Sequence, residues 1–367
     1  MVIIEKLRLI NFKNFEDLSF EPGPGFHFIA GQNGAGKTNL LDSIFFLAMT
    51  KSFIQTSDRE LITNHAEFLR IEATCTLKAK LEQVEIKCKP PQIREWWVNG
   101  KKYDRLSEHI GHIPIVLVAP DDVYLLMHSA DARRKFLSQI LVQTDKEFLY
   151  HSVQYNHYLK QKNAALKLML KNGRLDPILL DAFDQGLANH GRYMILSRQN
   201  LVDLLNPILS NYIDKISNGK QTGMLHYCPD ITGDLEDVLL ETRVKDFHTG
   251  RSNRGPHKDK VDASMGASLI YSSGSQGQLK TFVSAMKLAQ FRYMSNQMKV
   301  MPIVLLDDIF AKLDAERIQS ILQLLLDEHV YQCFITDTHQ ERLKQLSKGL
   351  NVYAKVYNLE HNQLISC

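Results

Sequence analysis

Near its N-terminus the chain reads Gly31-Gln32-Asn33-Gly34-Ala35-Gly36-Lys37-Thr38. This stretch satisfies the pattern G-x-x-x-x-G-K-[ST] at every fixed position. The apolar run at 26–30 predicts a short buried strand before it, and residues 39–46 after it carry apolar side chains at helical spacing. A loop between a strand end and a helix start aims backbone N–H groups at an anion, and the helix dipole adds to the attraction. The context therefore favours a phosphate-binding loop over a chance glycine turn.

Each residue type in this loop suits a nucleotide. The glycines let the backbone wrap the β- and γ-phosphates without Cβ clashes. Lys37 is expected to reach those phosphates, and Thr38 to place its hydroxyl on Mg²⁺. The predicted ATP-binding residues of the loop are Gly31, Asn33, Gly34, Ala35, Gly36, Lys37, Thr38 and Asn39. Lys13 and Asn14, in a polar turn upstream, either approach the nucleotide or are solvated, and the sequence leaves both open.

Length and composition limit the class of protein that carries this loop. A chain of 367 residues with 44% hydrophobic and 23% charged content is typical of a soluble globular protein with two lobes. A net charge of +3 is too small to indicate nucleic-acid binding, so any basic face must be local. No apolar run could span a bilayer, and the first residues lack a secretory pattern. The five cysteines form no C-x-x-C pair, which predicts reduced thiols in a cytoplasmic protein with no metal or disulfide framework.

The predicted secondary structure changes from strands to helices near residue 121. Residues 2–10, 69–77 and 81–87 alternate as half-buried strands do, and 113–120 is an apolar strand ended by proline. Long helices are then predicted at 132–142, 146–170 and 176–217, without a heptad repeat long enough for a coiled-coil arm. The last two predict a helical hairpin, whose basic side chains are typical of a solvated face. Those side chains are Lys160, Lys162, Lys167, Lys171 and Arg174.

Two local concentrations of positive charge are candidates for nucleic-acid contact. One lies at 133–135. The other lies at 243–260, where Gly250, Gly255 and Pro256 predict a basic loop rather than a helix face. Phosphate contact and plain loop solubility both account for such a loop. The DNA-binding candidates are Arg133, Arg134, Lys135, Arg251, Arg254 and Lys258.

A second anion site is predicted where Gly274-Ser275-Gln276-Gly277-Gln278 runs into an apolar helix over 282–291. Taken alone this motif is weak, because glycine and serine before a helix are also ordinary caps. Its significance comes from its position after the phosphate loop and before the acidic strand end described next. The residues expected to contact nucleotide here are Ser275, Gln276, Gly277 and Gln278.

The stretch 302–308 is typical of a buried parallel strand whose carboxyl end carries Asp307 and Asp308. In a P-loop protein the first acid joins the Mg²⁺ shell, and the second orients or deprotonates the attacking water. Lys37, Asp307 and Asp308 are therefore the predicted catalytic residues. Thr38 and Asp307 are the predicted Mg²⁺ ligands.

One more inner strand is predicted at 332–336, and its end should lie beside the strand that carries Asp307. Asp337 or His339, which follow this strand, is therefore a candidate sensor of the γ-phosphate. The sequence does not separate this role for His339 from a plain position in a surface loop.

The phosphate loop, the serine–glycine motif and the Asp-Asp strand end follow one another in the order typical of ABC-type ATPases. In that plan the signature helix of one protomer covers ATP held on the P-loop of its partner, and hydrolysis releases the clamp. The predicted fold class is α/β: an ABC-type P-loop ATPase head with mixed sheets around the P-loop helix and a largely α-helical second lobe. Lobe I is expected to comprise 1–119 and 298–367, and lobe II 120–297 with the signature.

The chain resembles the RecF family, bacterial DNA replication and repair proteins of the SMC-like ABC ATPases, nearly from end to end. Its Gly-Pro-His-Lys stretch and Asp-Asp strand end are more specific to that family than the phosphate loop. The matching stretches are Leu7-Arg8-Leu9-Ile10-Asn11-Phe12-Lys13-Asn14-Phe15, Gly31–Asn39, Ala119-Pro120-Asp121-Asp122, Arg133-Arg134-Lys135-Phe136-Leu137, Gly255-Pro256-His257-Lys258-Asp259, Ser275-Gln276-Gly277-Gln278-Leu279-Lys280, Leu305-Leu306-Asp307-Asp308-Ile309-Phe310 and Leu313-Asp314.

The resemblance implies an ATP-dependent homodimer that uses Mg²⁺ and binds DNA at duplexes or single-strand/duplex junctions. It further implies action with RecR and RecO in loading the recombinase at single-strand gaps, and service in the SOS response. Asp308 stands where most ABC ATPases carry glutamate, and its shorter reach predicts slow turnover. Lys260 stands where an acidic residue is frequent, which leaves the role of the 243–260 stretch open.

Three rival classes account for parts of the sequence. A transporter nucleotide-binding subunit is disfavoured by the long helical insertion between Lys37 and Asp307. An SMC-type chromosome-structure head is disfavoured because long heptad repeats are missing. A DNA-binding module with a vestigial nucleotide site is disfavoured because Lys37, Thr38, Asp307 and Asp308 are all present.

Overall fold

A computed structural model describes residues 1–55, 57–120, 122, 130–308, 310, 315–349 and 353–366. The chain divides into two compact units: the first joins Met1–Asp122 with Val283–Cys367, and the second is Val123–Phe282. Within the described residues, no helix is long and apolar enough to cross a membrane. Four residues of the family resemblance lie outside the described residues, namely Asp121, Ile309, Leu313 and Asp314.

Strands predominate in the first unit and helices in the second. The strands are β1 Val2–Phe12, β2 Phe15–Phe20, β3 Gly25–Ala30, β4 Leu69–Leu77, β5 Lys80–Lys89, β6 Ile93–Val98, β7 Lys101–Lys102, β8 Ile115–Val118, β9 Gly223–Cys228, β10 Lys260–Met265, β11 Ser268–Leu269, β12 Ile303–Leu306, β13 Gln332–Asp337, β14 Ala354–Glu360 and β15 Gln363–Ser366. The α-helices are Lys37–Met49, Ala130–Thr144, Lys146–Asn172, Pro177–Ser217, Leu235–Glu241, Arg243–Thr249, Ile270–Ser273, Gln276–Met298, Ala315–Asp327 and Gln340–Gly349. The strands and long helices predicted from periodicity are confirmed, with small shifts at their ends.

In the part of the first unit that the structure describes, the strands form two six-stranded sheets. One is antiparallel, in the order β2-β1-β4-β5-β6-β7. The other has the order β15-β14-β3-β13-β12-β8 and is parallel except for β15. Every residue of β12 and β13 is buried, as expected for inner parallel strands covered on both faces. Parallel strands bring their carboxyl ends to one edge, which is where the sequence places its loop and its acids.

The helix Lys37–Met49, the P-loop helix, follows β3 of the parallel sheet and packs against the antiparallel sheet. The ring of Phe46 lies 5.2 Å from that of Trp96 in β6. The two sheets are also joined through the buried Gln332, whose side-chain amide exchanges hydrogen bonds of 2.9 Å with the backbone N–H and carbonyl of Ile4. The P-loop is therefore mounted on a core that both sheets share.

Two expectations for the second unit are wrong. Lys162 is not solvated: its ammonium is buried, 2.7 Å from Asp184 and 2.9 Å from Asp246. Sequence periodicity does not reveal which lysine of a helix finds buried carboxylates on other elements. The predicted basic loop also begins with a helix, Arg243–Thr249, which Gly250 ends in the left-handed conformation at φ 64°.

Candidate nucleotide-binding site

The conformation of the loop between β3 and the P-loop helix requires its glycines. Gly34 and Gly36 have φ of 82° and 103°, a region that residues with a Cβ rarely adopt. A Cβ on Gly36 would lie 2.4 Å from Nδ2 of Asn14, and one on Gly31 would lie 2.8 Å from the carbonyl oxygen of Leu359. The loop thus leaves its backbone bare at the start of a helix, the arrangement that binds phosphate.

Lys37, the first residue of the P-loop helix, folds back onto the loop. Its Nζ donates to the carbonyl oxygens of Gly31 at 2.7 Å and Gln32 at 2.9 Å. Burial lowers the pKa of Lys37, while the carboxylates of Asp308 and Asp307 act in the opposite direction. The ammonium therefore lies in a desolvated place beside acidic groups, where a polyanion would interact with it strongly.

Asp307 directly follows β12 and connects the strand to the loop. Its Oδ1 accepts from the hydroxyl of Thr38 at 3.1 Å and from that of Thr336 at 2.8 Å. Burial raises the pKa of Asp307, opposed by the hydrogen bonds from Thr336 and Thr38. A carboxylate and a hydroxyl oxygen at this separation are the hard ligands that Mg²⁺ prefers, so the two predicted ligands fit that ion.

Asp308 is held in an uncommon backbone conformation. Its φ is 40°, and its N–H donates to the hydroxyl of Thr336 at 2.8 Å. A left-handed conformation at a residue other than glycine costs energy and persists where the surroundings enforce it, often at functional sites. Thr336 therefore fixes both acids, one through a side chain and the other through the backbone. Sequence reasoning missed this residue, although it lies at the end of the predicted neighbouring strand.

The two candidate phosphate sensors differ in their burial and in their distance along the chain from the strand end. β13 lies between β3 and β12, and the register places Asp337 opposite Ala30, directly before the loop. Asp337 is buried, with one carboxylate oxygen 3.5 Å from Nη1 of Arg342. His339 is exposed, and its Nδ1 lies 2.8 Å from the hydroxyl of Thr338. The fold thus brings Asp337 to the loop and leaves His339 on the surface.

The upstream turn supports the P-loop helix. The side chain of Lys13 is almost fully buried, and its Nζ lies 2.6 Å from Oδ2 of Asp42 in the P-loop helix. Solvation, one of the two interpretations left open by sequence, is therefore wrong for Lys13. Asn14 lies against Gly36, and its Oδ1 accepts from Nδ2 of Asn39 at 2.6 Å.

The serine–glycine motif forms a reciprocal cap at the start of the helix Gln276–Met298, the signature helix. The backbone N–H of Gln278 donates to Oγ of Ser275 at 3.2 Å, and the N–H of Ser275 donates to Oε1 of Gln278 at 2.9 Å. This is the capping box, in which the side chains at the first and fourth positions of the helix start each accept from the backbone N–H of the other. Ser275 and Gln276 are exposed, and Gly277 and Gln278 are half-buried.

Two of the DNA-binding candidates are engaged within the second unit. Arg133 is buried, its Nε donates to the carbonyl of Val261, and its guanidinium lies 4.8 Å from the ring centroid of Tyr271. Arg254 pairs with Asp230 at 2.8 Å and donates a second bond to the carbonyl oxygen of the same residue. Both guanidiniums would have to give up these partners to contact a phosphate.

Three of the other candidates, Lys135, Arg251 and Lys258, face outward. The side chain of Lys135 is 72% exposed, with Asp131 at 2.9 Å. Arg251 and Lys258 are exposed as well. Arg134 is mostly covered and donates to the carbonyl oxygen of Asp259 at 2.5 Å.

Lys258 lies between two hydrogen-bonded residues of the Gly-Pro-His-Lys-Asp stretch, His257 and Asp259. His257 Nδ1 lies 2.7 Å from the hydroxyl of Tyr155, and burial lowers the pKa of His257 to about 4. Asp259 accepts from Arg198 at 2.8 Å and is fully buried. The contacts of His257 and Asp259 therefore fasten this stretch on both sides of one outward lysine.

One edge of the parallel sheet carries a P-loop lysine, a pair of aspartates at a strand end and a further aspartate. The same chain carries a capped serine–glycine helix start. Together these features define an ABC-type P-loop ATPase head. The chain belongs to the RecF family, and the family model "RecF/RecN/SMC N terminal domain" matches its residues 3–361. The predicted fold class and the family resemblance are thus confirmed.

Relatives aligned over nearly the whole chain support the family, and solved structures support the fold. The chain is 34% identical over 364 residues to the DNA replication and repair protein RecF of Parabacteroides distasonis, covering 99% of both chains. It is 35% identical over 366 residues to the protein of the same name from Phocaeicola vulgatus, covering 99% of this chain and 98% of that one. A solved structure described as the recombination mediator protein RecF-ATP in the RecFOR pathway matches with a TM-score of 0.89 at 24% identity, over 100% of this chain and 98% of that one. An Smc head bound to the C-winged helix domain of ScpA matches with a TM-score of 0.56 at 14% identity, over 99% and 97%.

Proposed function

We propose that this chain is an ATP-dependent DNA-binding clamp of DNA replication and repair, in which ATP joins two copies and slow hydrolysis releases them. The observation that carries the proposal is the bond from Thr38 to Asp307, which unites the P-loop and the acidic strand end in one site. Relatives named DNA replication and repair protein RecF, aligned over nearly the whole chain, support the choice of DNA as the partner.

Different groups of the chain bind different parts of ATP and its metal ion. The glycine-lined loop amides bind the phosphates, and Lys37 exchanges its carbonyl partners Gly31 and Gln32 for phosphate oxygens. Thr38 and Asp307 would hold Mg²⁺, which when bound neutralises charge on the phosphate oxygens. Burial disfavours the Asp307 carboxylate, so a cation there would replace lost hydration.

Asp308 orients the attacking water and accepts its proton. The backbone of Asp308 is fixed by Thr336, so its carboxylate depends on a short side chain to reach the water. Because aspartate is one methylene shorter than the glutamate usual in ABC ATPases, we expect slow turnover, accelerated when DNA favours the closed dimer.

The dimer follows from the two anion sites on one chain. The exposed, capped start of the signature helix, with Ser275 and Gly277, covers ATP bound to the P-loop of the partner copy. In this proposal lobe I comprises 1–119 with 298–367 and lobe II comprises 120–297, so each ATP is held by lobe I of one copy and lobe II of the other. Loss of the γ-phosphate removes the bridge.

DNA contact is assigned to the outward basic groups of the second unit, chiefly Lys135, Arg251 and Lys258. Membership of the RecF family supports RecR and RecO as partners in loading the recombinase at gaps. It also supports a cytoplasmic location.

The experiment that tests the proposal is size-exclusion chromatography with light scattering, with and without Mg-ATP. We expect the wild type to shift from monomer to dimer with ATP and the Lys37→Met variant to remain monomeric. A Lys37→Met variant that still dimerises with ATP would contradict the sandwich, and a wild type that never binds nucleotide would contradict the whole proposal.

A further inference from the structure

Three asparagines form a chain of amide hydrogen bonds beside the P-loop. Nδ2 of Asn14 donates to Oδ1 of Asn362 at 2.6 Å, across 348 residues of sequence. Oδ1 of Asn14 accepts from Nδ2 of Asn39 at 2.6 Å. Asn39 lies in the first turn of the P-loop helix, and Asn362 lies in the turn between β14 and β15. The C-terminal hairpin is thereby linked to the start of the P-loop helix.

The hairpin turn is well suited to hold Asn362 in place. His361 and Asn362 have φ of 48° and 62°, the pair of left-handed residues found in a tight type I′ hairpin turn. β14 pairs with β3, and the carbonyl oxygen of Leu359 is the group that a Cβ on Gly31 would strike at 2.8 Å. The hairpin is therefore in register with the beginning of the loop, and Asn362 is hydrogen-bonded to Asn14, which lies against Gly36 at the loop's end.

Asn14 occupies the space that Gly36 leaves by having no side chain. A Cβ on Gly36 would lie 2.4 Å from Nδ2 and 3.0 Å from Oδ1 of Asn14. The same turn supplies Lys13, whose buried ion pair with Asp42 holds the second turn of the P-loop helix. The start of this helix is therefore fixed at two points, by an ion pair and by the amide chain. Only the amide chain depends on the C-terminal hairpin.

We propose that Asn362 is a positioning residue for the nucleotide site. Through Asn14 it holds the last glycine of the loop and the first turn of the P-loop helix in the conformation that binds phosphate. The inference rests on the proposed ATP-binding function and adds to it a support outside every P-loop motif. Losing one neutral hydrogen bond of this kind typically changes an equilibrium by about fivefold. ATP and ADP should weaken alike, because both have a β-phosphate in the loop.

The test compares Asn362→Gly with His361→Gly. Glycine adopts the left-handed turn at either position, so both variants keep the hairpin and only the first removes the amide. We expect the Kd for ATP and for ADP, measured by fluorescence titration, to rise about fivefold in Asn362→Gly and to stay at the wild-type value in His361→Gly. KM should rise by a similar factor while kcat at saturating ATP is unchanged, a split that general destabilisation would not produce.

A double-mutant cycle with Asn14→Ala completes the test. If Asn362 acts through Asn14, then Asn362→Gly has little further effect on nucleotide affinity in the Asn14→Ala background. Equal Kd values for Asn362→Gly and His361→Gly, or independent effects of Asn14→Ala and Asn362→Gly, would overturn the inference. Absence of nucleotide binding by the wild type would instead overturn the proposed function, so the two failures are distinguishable.

Discussion

The hydroxyl of Thr38 donates a 3.1 Å hydrogen bond to Oδ1 of Asp307, joining the P-loop to the acidic strand end across 269 residues of sequence. The same oxygen accepts from Thr336 at 2.8 Å. Two hydroxyls from two elements therefore fix one carboxylate oxygen, and the side chains expected to hold Mg²⁺ are already adjacent. Substitutions at this junction should affect chemistry more than folding, because each replaces one polar group by a group of similar size.

Asp307→Asn should abolish most ATP turnover. The amide keeps the size of the side chain but removes the charge that holds the cation, and a metal clamp contributes several kcal/mol to phosphoryl transfer. We expect the turnover rate to fall at least about a hundredfold, as measured by phosphate release. Turnover at the wild-type rate would contradict the assignment of Asp307.

Thr336→Val should produce a smaller loss. It removes the bonds to Asp307 Oδ1 and from the N–H of Asp308 without changing side-chain shape. At about 1 kcal/mol for each of the two bonds, we expect turnover to fall about thirtyfold. The matched variant Thr338→Val, two residues along the chain, should keep nearly the wild-type rate. Equal rates for both variants would contradict the role given to Thr336.

Lys258→Ala should weaken DNA binding in a salt-dependent way. Each phosphate contact releases about one counterion, so the slope of log K against log salt should become shallower by about one. Fluorescence anisotropy with a gapped duplex in Mg-ATP measures that slope. Lys220→Ala, a change of another exposed lysine of the second unit, should leave it unaltered. An unchanged slope in Lys258→Ala would remove this lysine from the interface.

Stability should fall as the pH drops below about 6.5, in part because of His257. Its pKa is lowered from 6.5 to about 4 by burial, so between these values the unfolded chain binds a proton that the folded chain does not. That difference lowers stability by up to about 3 kcal/mol towards pH 4 and has no effect above pH 7. In urea unfolding between pH 7.5 and 5, His257→Asn should lose less stability than the wild type. The pKa of His27 is also lowered to about 4, so the stability of the His257→Asn variant should still depend on pH. Identical pH slopes would contradict the burial of His257.

Lys162→Met should be strongly destabilising. The substitution leaves the carboxylates of Asp184 and Asp246 buried together without their shared cation. Breaking a buried ion pair in this way typically costs about 3–5 kcal/mol. Lys160→Met, on the exposed side of the same helix, is the matched control and should change the urea midpoint little. A similar midpoint for both variants would contradict the buried network.

Sequence predicted those parts of the site that depend on local pattern. The P-loop, the Asp-Asp strand end and the parallel neighbour ending at Asp337 all follow from apolar runs that stop at polar residues. Asn362, Asp42 and Thr336 could not be found this way, because each acts through a tertiary contact with a residue far along the chain.

Tertiary contacts also decide which charged residues are buried, and the sequence does not reveal those contacts. The sequence pattern does not distinguish an exposed lysine or arginine on a helix from a buried one. Lys135 faces water, whereas Lys162 faces a buried carboxylate. The helix Arg243–Thr249 was hidden because its glycine and proline neighbours resemble a loop. Only the partners contributed by other elements distinguish these cases.

Mixing two inactive variants tests the shared ATP site most directly. Lys37→Met should disable the P-loop of every copy that carries it, and Ser275→Arg should disable the signature of every copy that carries it. In the mixed dimer, the intact loop of one copy meets the intact signature of the other. We predict that phosphate release, negligible for either variant alone, returns to a substantial fraction of the wild-type rate on mixing. If the mixture stays as inactive as its components while Ser275→Arg still binds ATP, then two copies do not share an ATP site.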